Sequence, residues 1–300
     1  MKMYIAALFL FCLSVSTNAV SQGSGTGCNS IKMGPEGYQK AAQLSSKVLT
    51  YLEQKHQQDG TVVAMLGRVG SDSPDSRFQR KVSRYWNYTH AGLAYRNHAD
   101  GQWTIVHLLN DCGKESNIYA HSMMTFFLDD PYEYRAVVGI PDWNTQEMLE
   151  TLIVDRNMSL ALFNNSVYSS VSYPFNIERQ NSNEYILDTL VLAMAYQNGV
   201  DNLFTREHAK EYLLSSGLKQ HVEPEQVKVK GIESFGMALG FGPKNVTLKD
   251  HPRSERRGGK VNIVSVGTLI EFLNNLGKLQ ATAELSLKDV NKASDTRYEK

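Results

Sequence analysis

The first nineteen residues decide how much of this chain is available to fold, and in which compartment it folds. A single Lys2 precedes an almost wholly apolar run from Tyr4 to Val15, followed by Ser16-Thr17-Asn18-Ala19. A positive start, an apolar middle and a small-residue end make up a secretory signal, with Ala19 the expected last residue removed. The apolar run is shorter than the roughly 20 residues that a membrane span requires. No later stretch is long and apolar enough, so the processed chain is expected to be periplasmic or secreted and not membrane-spanning.

Removing residues 1–19 takes away Lys2 and no acid, leaving 30 basic against 31 acidic side chains, net −1. Nothing supplies a domain-wide positive field, which argues against a nucleic-acid partner. Cys12 leaves with the signal, so Cys28 and Cys112 are the remaining thiols. In an oxidising compartment a disulfide between them is the leading expectation, with two buried free cysteines as the alternative.

No Pro/Gly/Ser linker divides the remainder of the chain, and residues 20–280 read as one domain with a polar, lysine-rich, disordered tail over 281–300. Ala41, Leu44, Val48 and Leu52 recur at helical spacing after Pro35, Thr61–Val69 is a buried strand, and Tyr88–Tyr95 with Trp103–Asn110 forms a hairpin. The spacing predicts a helix over Asn117–Leu128, a strand over Tyr132–Ile140, a helix over Asn144–Phe163 capped by Asn144 or Thr145, and a weak strand over Val167–Tyr173. Helices over Asn181–Tyr196 and Thr205–Leu214, a strand over Lys260–Val266 and a helix over Gly267–Leu276 close the pattern. With no regular βαβ repeat, the class is α+β, a mainly antiparallel sheet packed by helices.

Two places carry chemistry. His90 shares a strand face with Gly92 and Ala94, whose small size leaves space beside the imidazole. A turn at His98-Ala99 sets His107 opposite His90, and a turn at Asp100-Gly101 sets Asp111 there; both registers put His107, Leu109 and Asp111 on the face of His90. Further on, Asn181 caps an apolar helix whose first residue is Ser182 and third is Glu184. Helix amides around Ser182 suit a nucleophile and an oxyanion site. The same Asn-x-x-Glu pattern is also a structural capping box, contributing about 1 kcal/mol.

Other features are weaker. His90, His98, His107 and His121 match no compact ligand spacing, so neither a metal nor a cofactor is called for. Lys249, Arg253, Arg256, Arg257 and Lys260 outnumber Asp250 and Glu255, a local basic excess suited to an anionic polymer or lipid headgroup, or simply to a solvated loop. Asp250-His251 also reads as a separate acid–base pair.

Tyr88-Thr89-His90-Ala91-Gly92, Val106–Asn110, Phe126–Asp130, Tyr173-Pro174, Gln180–Asn183 and Asp250-His251-Pro252 together resemble an uncharacterised bacterial secreted family, domain of unknown function 2145. More distantly, the order His90, then His107 or Asp111, then Ser182 is similar to circularly permuted papain-like hydrolases of the NlpC/P60 type, where a cysteine stands at the last position. That resemblance implies a papain-like scaffold and a hydrolase of amide or ester bonds, with Ser182 as nucleophile, His90 as base and His107 or Asp111 orienting it. The alternative is a non-catalytic envelope protein whose groove binds a peptide, glycan or lipid. The sequence leaves enzyme status and oligomeric state open.

Overall fold

The computed structural model describes residues 34–70, 85, 87–110, 116–129, 131–154, 167–200, 202, 205–228 and 246–287. Helix α1 (Pro35–Asp59) starts with Pro35 in its first turn and ends at Gly60, which adopts φ 78°. Proline fits a first turn because its missing N–H would be unpaired there, and glycine takes the left-handed C-cap without a Cβ penalty. Ala41, Leu44, Val48 and Leu52 form its buried stripe, as their spacing predicts.

The strands β1 (Val63–Gly70), β2 (His90–Tyr95), β3 (Thr104–Asn110), β4 (Ser116–His121), β5 (Pro131–Pro141) and β8 (Leu279–Ser286) form one antiparallel sheet in the order β4-β3-β2-β1-β5-β8. Two further strands, β6 (Glu225–Lys228) and β7 (Lys260–Ile263), pair separately. The α+β class read from the sequence is therefore the observed one.

Both faces of the large sheet are covered. Ala64, Leu66, Ala94, Ile105, Ala136 and Val138 pack with α1 and with Phe126 and Phe127 of α2 (Met123–Leu128). Met65, Ala91, Leu93, Val106, Leu108 and Val137 face the other way, against α3 (Trp143–Val154), α4 (Ser182–Gln197) and α7 (Val266–Asn275). Sandwiched between the sheet and its neighbours, including α5 (Arg206–Ser215), α4 is buried at every position from Ser182 to Ala195. A helix apolar all round is one that has no solvent side. On this α4 face of the sheet Gly67 is required by close approach, since a Cβ there would sit 2.6 Å from Val266 and 2.7 Å from Val137.

The structure departs from the sequence reading in several places. Asn117–Leu128 is not one helix: Ser116–His121 completes the sheet as β4, and Ser122 then caps the short α2 by accepting from the Thr125 amide. Helix α3 is capped neither by Asn144 nor by Thr145 but by Asp142, whose Oδ1 accepts from the Thr145 amide at 2.8 Å. Val167–Tyr173 contributes only the isolated bridge Tyr168↔Gln180. The hairpin pairs Leu93 with Val106, a register between the two expected ones, which if continued sets Leu109 opposite His90. The parity is unchanged, so His107 still faces the side of His90. Strand β8 takes Ala281–Ser286 into the sheet, within the segment read as a tail.

Candidate functional site

Four polar side chains form a row across one face of the sheet. Arg68 of β1 is the register partner of His90 on β2. His107 and His121 follow on β3 and β4, each at the parity that points toward α2. His90 Nε2 lies 2.8 Å from His107 Nδ1, and His107 Nε2 lies 3.0 Å from His121 Nδ1. Phe126 of α2 closes over the row, its ring centroid 5.7 Å from that of His90 and 5.2 Å from that of His107. The Arg68 guanidinium also stacks on Phe126, pairs with Asp129 Oδ2 at 2.6 Å and donates to the Asp129 carbonyl.

Gly92 is what allows this closeness. A Cβ there would stand 2.5 Å from Ile105 Cγ2, 3.1 Å from His107 Cβ and 3.3 Å from Phe126. The space that small neighbours leave beside His90 is thus filled by packed side chains. His90 is 9% exposed and His107 is fully buried. Burial, reinforced by the Arg68 charge and the neighbouring rings, holds both well below the ordinary histidine range, so both are neutral at pH 7.

Neutrality constrains the hydrogens. A neutral imidazole has one N–H, so His107 donates from one nitrogen and accepts at the other. The chain therefore runs in a single sense, either from His90 toward His121 or the reverse. A neutral ring held this way keeps one nitrogen able to accept a proton or a hydrogen bond and the other able to donate.

Ser182 is the first residue of α4. Asn181 caps α4 and the capping box is fully formed: Asn181 Oδ1 accepts from the Glu184 amide at 2.9 Å and Glu184 Oε2 accepts from the Asn181 amide at 3.3 Å. Ser182 is 3% exposed at the start of this helix, and α4 packs on the face of Ala91 and Leu93, opposite the histidine row. The link between the two layers is Asn183, whose Nδ2 donates to the carbonyls of Thr89 at 3.2 Å and Val264 at 3.1 Å. Asp111 and both cysteines of the expected disulfide, Cys28 and Cys112, lie outside the described residues. His98 sits in the hairpin turn, accepting from the Asp100 amide, and no group of three or more His, Cys, Asp or Glu able to hold a metal occurs among the described residues.

A second polar cluster lies behind Ser182. Asp188 meets Arg206 Nε and Lys210 Nζ, each at 2.9 Å, while Glu184 lies 3.6 Å from Lys210 and accepts from the Ser172 hydroxyl. Arg206 also donates to the carbonyls of Ile177 and Arg179, and Lys210 to that of Pro174. Burial pushes the Glu184 carboxyl up, and the Lys210 and Arg206 charges oppose that shift. The cluster anchors the Ser172–Gln180 segment to α4. Asp250 and His251 are spent the same way, Asp250 Oδ2 accepting from the Tyr173 amide and His251 Nε2 donating to the Val171 carbonyl.

Sequence reasoning missed the Arg68–Asp129 pair and the pairing of Asp188 with Arg206 and Lys210. The signal was present, since Arg68 is the only charge in Thr61–Val69 and Asp188 the only one in Tyr185–Ala195. A charge in a segment otherwise too apolar to face water calls for a buried partner.

These features define an α+β protein with helices on both sheet faces and a buried imidazole row sealed by a phenylalanine. Residues 55–273 match the model of a family described as uncharacterized protein conserved in bacteria (DUF2145), and the chain belongs to that family. No curated protein and no solved structure matches it. Among the described residues no helix is long and apolar enough to cross a membrane.

Proposed function

We propose that this protein is exported to the bacterial cell envelope and acts there as a non-catalytic binding scaffold for a peptide, glycan or lipid ligand. The observation that carries this reading is that α4, the helix that Ser182 starts, packs on the sheet face opposite the one on which His90 meets Phe126. The amide and carboxylate around Ser182 close a capping box, and the His90 ring is committed to His107. The leader Lys2–Ala19 supports export.

The His90–His107 bond is the one observation that favours a hydrolase. In that reading, in line with the papain-like resemblance, Ser182 attacks an amide or ester and His90 takes its proton. It requires hydroxyl and imidazole to share a face, and α4 packs on the other one. Assays with chromogenic esters and cell-wall-type amides separate the two. The scaffold reading expects equal background rates for the wild type and Ser182→Ala, and a rate that falls with the substitution overturns it.

A further inference from the structure

The basic excess between Lys249 and Lys260 takes a definite form in the structure. Helix α6 (Arg253–Gly258) carries Arg253, Arg256 and Arg257 three and four residues apart, which places them on adjoining positions of one helix face. Lys249 and Lys260 flank it. Lys249, Arg253, Arg257 and Lys260 are exposed and Arg256 is half-buried.

The acids that sequence counting sets against these cations are turned inward. Glu255 Oε1 accepts from Asn262 Nδ2 at 2.7 Å, and its Oε2 accepts from the Asn262 amide and faces His251 Nδ1, both at 3.0 Å. Asp250 is 6% exposed and holds the Tyr173 amide. Among the described residues, none of the five basic side chains has a hydrogen-bond or ion-pair partner. With both acids turned inward, the basic excess of the run is what its surface presents.

Beside it stands an exposed apolar side chain. Asn176 Nδ2 donates to the Asp250 carbonyl at 2.8 Å, which fixes the next residue, Ile177, close to the patch. Arg206 holds the Ile177 carbonyl at 2.8 Å from below, and the isoleucine is 44% exposed. Burying an isoleucine offers nothing to a polyanionic glycan, but it suits the headgroup–acyl boundary of a bilayer.

We infer that α6 with Lys249, Lys260 and Ile177 is a docking surface for an anionic lipid bilayer, with phosphate headgroups meeting the cations and Ile177 entering the interface. This rests on the envelope reading for its setting, but its test does not. Failure of export would appear in cell fractionation, and failure of the patch in vesicle binding.

Each cation close to an anionic surface strengthens adsorption about five-fold. Purified protein should sediment with phosphatidylglycerol-containing vesicles, not with pure phosphatidylcholine vesicles, and should be released as salt rises toward 0.5 M, where screening shortens the reach of each charge to about 4 Å. Arg253→Gln with Arg257→Gln should weaken binding about 25-fold, and Lys249→Gln with Lys260→Gln similarly, with unchanged circular dichroism. Ile177→Ser should weaken binding at every salt concentration. Equal binding to both vesicle types, a change under three-fold in both double variants, or binding only to a soluble anionic polysaccharide would overturn the inference.

Discussion

His90 Nε2 lies 2.8 Å from His107 Nδ1, and the two rings meet edge to face with centroids 5.1 Å apart. Such a contact consumes the one N–H or the one lone pair that each neutral ring has to offer on that side. A histidine held this way, beneath Phe126, is organised by the fold before any ligand arrives.

Titration of these rings should show it. Both folded-state values are depressed, so below the ordinary histidine value of 6.5 the unfolded chain binds more protons than the native one. Their contribution to stability is full above that value and is lost as pH falls below it. Urea unfolding between pH 7.5 and 5 should show stability declining with acid, with a shallower slope in His107→Gln. The imidazole NMR signals of His90 and His107 should remain those of neutral rings at pH 6.

Gly92→Ala is expected to destabilise by about 1–3 kcal/mol, the usual cost of overpacking, because the new methyl meets Ile105 at 2.5 Å. The same substitution should separate His107 from Phe126, moving the His107 resonances in an NMR spectrum.

At the start of α4 the roles of neighbouring residues diverge. Asn181→Ala removes the side-chain half of the capping box and should cost about 1 kcal/mol. Ser182→Ala removes a hydroxyl that takes no part in the box and should change stability by less than about 0.5 kcal/mol. Thermal unfolding of the two variants side by side checks the ranking.

Arg206→Ala should be the most damaging of the set. It leaves Asp188 and Glu184 buried with Lys210 as their remaining cation and frees the carbonyls of Ile177 and Arg179. Breaking a buried pair from one side costs about 3–5 kcal/mol. Proteolysis should then cut the Ser172–Gln180 segment first.

The parts legible in the sequence were those that local pattern controls. Pro35 and the Ala41–Leu52 stripe gave α1, the unbroken apolar run Thr61–Val69 gave β1, and Asn181 with Glu184 gave the start of α4. Strand parity sufficed to bring His107 to the face of His90 although the hairpin register was neither of those expected. What local pattern does not encode is which sheet face receives which helix. His90 and Ser182 each suit a catalytic role in isolation, and only the packing of α4 against Ala91 and Leu93 sets them apart. For Asn117–Leu128, pairing of Ser116–His121 with β3 overrode the helical reading.

The separation of Ser182 from His90 is tested most directly by treating the folded protein with a broad fluorophosphonate probe and locating adducts by peptide mass spectrometry, with Ser182→Ala and His90→Ala as controls. With α4 packed on the face opposite His90, no adduct is expected on Ser182. An adduct there that disappears in His90→Ala would mean that the imidazole reaches the hydroxyl, and would contradict the scaffold reading.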